Sequence, residues 1–397
     1  MSQVHSFSVS DHWDGPFDET RFEVWAKTLR SCLQADTVDL GIIFATPGYE
    51  KNWEEILEIL QIHCRVSTLI GCSGNALVSQ GFEFEEGMGV SVSLLSLPGA
   101  KLTSFEFSVQ ELEYLNAESG SEFEQRLTVS PNGFLIFADP FSMNPEKMLA
   151  FFNREFPEIS VHGGLACGTH EQRESVLFLN NRVVLEGAVG LAVGGDVVIE
   201  SVISQGCQPV GESYIITSAA ANVLNGIGNR SAYDVLSDVF SGLPDAMKLK
   251  SKGNLHVGFV IDEYQEDYQC GDFLVRNLIG ADPKSGALLV GALPRVGQTL
   301  QFQMRDRHAA MEDLNKKLNE IQPALQEREI FGAILSTCTG RGKRFFKVPD
   351  FDASSIQECI GPVGMVGFFG NGEFGPVGGV NFIHGYTAAL AIFASKR

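Results

Sequence analysis

The sequence predicts an α/β to α+β protein of two domains, in which mixed sheets are covered by helices. Three observations predict it. Apolar runs of strand length, each followed by an amphipathic helix and a second apolar run, recur along the chain. Alternating apolar and polar stretches lie between these units, as half-buried antiparallel strands do. The length, 397 residues, exceeds what a single hydrophobic core usually organises.

After a polar leader, Phe22, Trp25, Leu29 and Cys32 fall at three- and four-residue spacing, which places them on one face of a helix ending near Leu33. Residues 40–45 are a continuous apolar run. Asn52, with Glu55 three residues on, has the pattern of a capping box opening a helix that carries Trp53, Ile56, Leu57 and Leu60. The chain returns through residues 67–70 into Gly71-Cys72-Ser73-Gly74. The same grammar recurs at residues 134–138, a helix opened by Asn144-Pro145, and a return at residues 159–161 into Gly163-Gly164-Leu165-Ala166-Cys167-Gly168.

A third unit has its strand at residues 332–336 and its return at residues 364–369, running into Gly370-Asn371-Gly372-Glu373. Residues 255–261, with Asp262, read as a fourth copy whose helix is poorly marked. Residues 90–97, 102–107, 175–185, 197–203 and 287–304 are the intervening β-rich stretches. Met311, Leu314, Leu318, Ile321 and Leu325 form the stripe of a long sheet-covering helix. Gly226-Ile227-Gly228-Asn229, just before a helix opened by Ser231, marks the expected boundary, giving a leader and helix over 1–36 and domains over 37–230 and 231–397.

Lys plus Arg total 29 against 49 Asp plus Glu, a net charge of −20, so nucleic acid and anionic membranes are excluded as partners for want of a basic face. Eight cysteines are scattered singly, the usage of a reducing compartment. The first ten residues carry no secretory or transit signal, and no apolar run approaches the roughly 20 residues a bilayer requires. A soluble, cytoplasmic protein is expected.

Gly370-Asn371-Gly372-Glu373-Phe374-Gly375 satisfies Gly-x-Gly-x-x-Gly, but Pro376, Gly378 and Gly379 follow where a dinucleotide site needs a helix. No phosphate-binding Gly-x-x-x-x-Gly-Lys loop occurs, and His170-Glu171 lacks the second histidine of a zinc-protease helix. Gly71-Cys72-Ser73-Gly74 falls short of a nucleophile elbow because Asn75 stands where glycine is needed. Neither cofactor nor metal is expected.

The informative pair of loops lies in the last quarter. In Cys338-Thr339-Gly340-Arg341-Gly342 the glycines admit close backbone approach and Arg341 offers a planar fork for a carboxylate. Asn371 and Glu373 stand among glycines after another strand. Together Arg341 and Glu373 would suit a zwitterion; equally, they would form an ion pair bracing two turns. Cys72 and Ser73, ending the first return strand, join Cys338, Gly340, Arg341, Gly342, Asn371 and Glu373 as the candidate ligand set. Cys338 also admits a catalytic reading, as a thiolate favoured by Arg341, with His384 as the available base. The alternative is a small buried side chain.

Ile70-Gly71-Cys72-Ser73-Gly74, Ser204-Gln205-Gly206-Cys207-Gln208-Pro209-Val210-Gly211, Arg276-Asn277-Leu278-Ile279-Gly280, Val296-Gly297 and the two late loops, in this order, resemble the successive hallmarks of the FIST family, the F-box and intracellular signal transduction proteins. The resemblance runs over residues 38–393 and covers an N-terminal and a C-terminal FIST module. It implies a sensory module that binds a small molecule, with amino acids or other small carboxylates as candidate ligands. Residues 1–36 are too few for an F-box or a signalling domain, so any output is expected on a partner protein in trans. A thiol-dependent enzyme using Cys338 and an interaction scaffold are the competing expectations.

Overall fold

The computed structural model describes residues 7–117, 121–168, 175–251, 253–265 and 267–396. The chain forms two compact units. Met1–Ile203, Asn315–Ile383 and Thr387–Arg397 make the first, and Ser204–Leu314 with His384–Tyr386 the second.

The three strand, helix, strand units of the sequence are the centres of three six-stranded sheets in the first unit. Val38–Ala45 runs parallel to Val66–Ser73 across helix Trp53–Cys64. Pro131–Ala138 runs parallel to Val161–Leu165 across helix Pro145–Glu155, and Ile330–Cys338 parallel to Met365–Gly370 across helix Phe351–Ile360. Asn144 caps its helix as its type dictates, accepting from the Lys147 amide. Asn52 starts its helix too, but its side chain makes no cap bond and donates instead to the Glu55 carboxylate at 3.0 Å, so the capping box expected there is not formed.

Each parallel pair is flanked in the same way. Strands Gly89–Leu95, Ala188–Gly195 and Thr387–Ser395 pair antiparallel with the first strands of the three units. Outside these lie Ser8–Asp14, Ala100–Phe107 and Val197–Gln205 respectively. On the far side of each return strand comes a hairpin taken from another repeat. The hairpin Leu77–Ser79 with Phe82–Phe84, which follows the first unit, extends the sheet of the third. Leu177–Leu179 with Arg182–Val184, after the second, extends the sheet of the first. Glu373–Val377 with Val380–His384, after the third, extends the sheet of the second. The first unit is therefore a threefold repeat whose hairpins are exchanged in a ring.

One glycine in each return strand makes the parallel pairing possible. Gly71, Gly163 and Gly367 sit opposite Ile43, Ile136 and Leu335 in register. A Cβ at these glycines would lie 1.7, 2.0 and 2.2 Å from the facing carbonyl oxygens. Inside the ring, Phe44, Phe137 and Phe368 meet with ring centroids 4.8 to 5.7 Å apart, one phenyl from each repeat.

The second unit is a small barrel. Its strands follow the order Cys207–Ala220, Thr299–Arg305, Leu255–Val260, Phe273–Asp282, Ala287–Val290, Val223–Ile227 and Arg230–Ser231, and the long first strand also pairs with Val223–Ile227, closing the sheet. Val235, Leu236 and Val239 of helix Ala232–Gly242 pack on Val210, Val257, Phe259 and Phe302. The pairings of Leu255–Val260 are antiparallel on both sides, so residues 255–261 are a barrel strand and not a fourth parallel unit. The apolar run that suggested a copy reflects burial between two layers, which a barrel strand shares with a parallel one. Gly226 and Ile227 end strand Val223–Ile227, and Gly228-Asn229 form the hairpin turn into Arg230–Ser231.

The three glycines generate a prediction. Gly71→Ala, Gly163→Ala and Gly367→Ala should each cost on the order of 3 kcal/mol or more, or prevent folding, because backbone must separate to admit the methyl group. Gly242→Ala, where a Cβ meets nothing within 4 Å, should stay within about 0.5 kcal/mol of wild type. Urea unfolding of the four variants checks this; equal stabilities across the set would refute the close-approach argument.

Candidate functional site

The ends of the return strands form a closed ring of backbone hydrogen bonds. Asn75 N–H donates to Phe369 O (3.0 Å), Asn371 N–H to Leu165 O (3.3 Å) and Cys167 N–H to Ser73 O (2.9 Å). Each junction has a reciprocal bond: Phe369 N–H to Ala76 O, Leu165 N–H to Gly372 O and Ser73 N–H to Val176 O. Asn75, Cys167 and Asn371 thus occupy equivalent places. The structure brings three of the sequence candidates, Cys72, Ser73 and Asn371, to these junctions. Cys72 is fully buried, and burial pushes its thiol well above the usual range. Ser73 Oγ accepts from the Val176 amide at 2.9 Å, and Asn371 Nδ2 donates to Cys167 Sγ at 3.3 Å. The Gly-x-Gly-x-x-Gly segment runs from a return strand straight into strand Glu373–Val377 and opens no helix, which Pro376 and the glycines after it disfavour.

The Cys338 to Gly342 loop leaves the first strand of the third repeat. Arg341 is 3% exposed, and its Nε and Nη2 donate to the two oxygens of the fully buried Asp352 at 2.6 and 2.8 Å. The planar fork read as a ligand clamp therefore holds a carboxylate of the chain itself. Thr337 Oγ1 donates to the same carboxylate at 3.4 Å, and the guanidinium lies over Phe346. Glu373 is fully buried; burial raises its carboxyl well above the usual range, against the opposing pull of the Thr387 amide and the Arg341 charge. Arg341 and Glu373 each feel the other's charge, while the two-point contact of the Arg341 fork is made with Asp352.

Gly340 N–H lies 3.5 Å from Cys338 Sγ. Gly342, at φ +82°, lets the Glu85 carboxylate approach, since a Cβ there would stand 2.7 Å from a Glu85 oxygen. His384, the base weighed for a Cys338 enzyme, belongs to the second unit. His170 and Glu171 lie outside the described residues.

Around Asp352 gather side chains that sequence reasoning missed. Glu83 and Glu85, from the exchanged hairpin of the first repeat, accept from the amides of Ala353 (3.1 Å) and Lys343 (2.6 Å), and Asp350 accepts from the Glu83 amide. The hairpin thus caps two helices of the third repeat. Burial, then the charge of Asp352, pushes the Glu83 carboxyl up to about 8; Glu85 and Asp350 add to the shift, and the Ala353 amide opposes it.

The structural equivalent of Cys338 in the second repeat is Asp139, and there the loops open into a pocket of about 840 Å³. Asp139 is 3% exposed and accepts from Ser142 N (2.8 Å), Ser142 Oγ (2.5 Å) and Ser175 Oγ (2.5 Å). Ser142 Oγ in turn accepts from the Gly187 amide. Glu50, Lys51, Glu54 and Glu55 at the start of helix Trp53–Cys64 line the other wall, and Glu186 the rim. Trp53, Phe141, Val183 and Leu185 supply apolar surface, and the buried indole N–H of Trp53 has no hydrogen-bond partner among the described residues. The pocket lies where strands Val38–Ala45 and Pro131–Ala138 end, the usual ligand position of parallel sheets. Ile43, Ile136 and Leu335, which face the return-strand glycines, each stand three residues before Thr46, Asp139 and Cys338, so the strand register makes these three positions equivalent.

Among the described residues that line the pocket, five carboxylates stand against one lysine, which makes the field they set up negative. Among the described residues no group of three or more His, Cys, Asp or Glu is placed to hold a metal ion, and no helix is long and apolar enough to cross a membrane.

Family comparison agrees with the motif order. The FIST N domain model matches residues 39–230 and the FIST C domain model residues 232–376. An uncharacterized protein of Mycobacterium tuberculosis is 34% identical over 92% of this chain and 93% of its own length. An uncharacterized protein of Mycobacterium bovis is 32% identical over 92% of each. The chain belongs to the FIST family, whose domains are associated with sensing in signal transduction.

Glu83 sets a pH dependence. Its folded value of about 8 stands above the ordinary 4.5, so the folded chain holds a proton that the unfolded chain releases between those values. The stability this proton contributes is whole below about pH 4.5 and is lost as pH rises through about 8. Glu83→Gln, which keeps the neutral shape, should gain on wild type steadily across that window and be the more stable protein above it. Chemical denaturation at a series of pH values checks this; a constant offset between the two proteins would contradict it.

Proposed function

We propose that this FIST protein is a small-molecule-binding sensory module whose ligand occupies the pocket beside Asp139 and carries an ammonium group, amino acids being the leading class. The observation that carries the reading is the pocket itself: about 840 Å³ at the carboxyl ends of two parallel-paired strands, where the described lining residues include Glu50, Glu54, Glu55, Asp139 and Glu186 and, among them, one cation, Lys51. An ammonium gains from that field, and Lys51 offers a place for the carboxylate of an amino acid. Trp53, Phe141 and Leu185 give an apolar side chain somewhere to rest. A simple carboxylate, lacking the ammonium, meets mainly repulsion. The ligand class expected from Arg341 alone is thereby narrowed, because the Arg341 fork is occupied by Asp352.

Calorimetric titration of the whole protein with amino acids, primary amines and simple carboxylic acids tests the reading. Amino acids or amines should bind and simple acids should not. The charge-reversed variant Glu54→Lys with Glu186→Lys, both at exposed positions, should weaken binding about tenfold or more, equivalent to about 1.4 kcal/mol. Arg341→Lys should lower the melting temperature, since Lys cannot make the two-point contact with Asp352, and leave affinity unchanged. Binding of simple acids in place of amines, or no binding by any member of the panel, would overturn the proposal.

A further inference from the structure

The barrel of the second unit contains a cavity of about 460 Å³ between helix Ala232–Gly242 and the barrel wall. Leu236, Phe240, Leu255 and Leu278 give it apolar sides, and Tyr233, His256 and Tyr386 aromatic ones. His256 is 7% exposed, and neither of its imidazole nitrogens has a hydrogen-bond partner among the described residues. A buried polar group without a partner is costly, and native structures rarely leave one without a reason. The surroundings of this imidazole are otherwise well organised. Its ring centroid lies 4.4 Å from that of Tyr386, whose hydroxyl donates to Asn277, the cross-strand neighbour of His256. The Arg305 guanidinium lies over the Tyr386 ring, 4.6 Å from its centroid. Tyr386 itself is held at φ +63°, a conformation uncommon for an aromatic residue and concentrated at functional sites.

We infer that this cavity is a second ligand site, for an uncharged aromatic molecule that presents one hydrogen-bond donor to His256. The apolar and aromatic lining calls for a flat, largely apolar body. Burial and the nearby Arg305 charge hold the imidazole pKa down to about 4, so at neutral pH the ring is uncharged and has a lone pair to offer a donor. The same Arg305 charge disfavours an ammonium. The site thus selects against the amine class proposed for the first unit, and its test is independent of that reading.

Indole and naphthalene are suitable probes, since they are similar flat bodies and only indole carries an N–H donor. Indole should bind the whole protein at least tenfold more tightly than naphthalene and should shift the NMR signals of the His256 ring. His256→Phe should remove the preference of indole over naphthalene. Ser237→Trp, at an exposed position on the cavity mouth, should abolish binding of both. An excess of an amine that binds the first unit should leave indole binding unchanged. The inference is overturned if indole does not bind, if its binding survives Ser237→Trp, or if its preference survives His256→Phe. Should either variant fail to fold, the wild-type His256 signals decide, and their failure to move with indole overturns it.

Discussion

The first unit depends on a ring of backbone hydrogen bonds in which each return strand is tied to the next repeat. Three residues in equivalent places, Asn75, Cys167 and Asn371, donate across the three junctions, and the hairpins that follow them complete one another's sheets. No repeat carries its own full sheet. An isolated repeat would leave the outer edge of its return strand unpaired, and an open edge is what natural sheets avoid. The exchange satisfies all three edges at once and makes the repeats cooperative. It also explains why the return-strand glycines recur: the strands must lie close enough for the junctions to meet, and a Cβ at Gly71, Gly163 or Gly367 would keep them apart.

Within that near-symmetric frame, function is expected where the repeats differ. At the position after the first strand, the three repeats carry Thr46, Asp139 and Cys338. Thr46 Oγ1 is used to accept from the Gly89 amide, which ties the loop to its own sheet. Asp139 is surrounded by two hydroxyls and an amide beside a pocket. Cys338 leads into the loop whose arginine is locked on Asp352. The core shows a matching compensation. Phe44 and Phe137 come from first strands, whereas the third phenyl, Phe368, comes from a return strand, opposite Ser336 in the first. The volume at the centre is conserved although the strand supplying it changes.

The three parallel units are legible in the sequence because each is local: an apolar run, a helix with a recognisable start, and a return into small residues all lie within about 40 residues. The motif order likewise carried the family. Hairpin exchange is not legible, since Leu77–Ser79 gives no hint that its partner is Val366 to Phe368, almost three hundred residues on. The same limit governs the candidate site. Arg341 stood out as a planar donor among glycines, but its acceptor, Asp352, is an ordinary-looking residue in the first turn of a helix, and Glu83 and Glu85 arrive from a distant hairpin. Charge type is visible in a sequence; which charge is already spent is a property of packing.

Linear models and compact units divide this chain differently, and the reason is the place of the barrel. The third repeat begins with strand Val197–Gln205, and its next elements, helix Arg307–Gln326, whose first residues belong to the second unit, and strand Ile330–Cys338, come about a hundred residues later. The FIST N and FIST C models meet at residues 230 and 232, at the start of the helix that packs on the barrel. A repeat interrupted in this way loses its local signature at one end, which is why its outer strand reads as an isolated β-stretch and its sheet-covering helix as a free amphipathic one. An insertion is tolerated there because it enters after an outer strand, leaving the parallel pair and the ring junctions of that repeat undisturbed. The two units thus carry cavities of different chemistry, apolar and aromatic in the barrel and acidic in the pocket of the repeats.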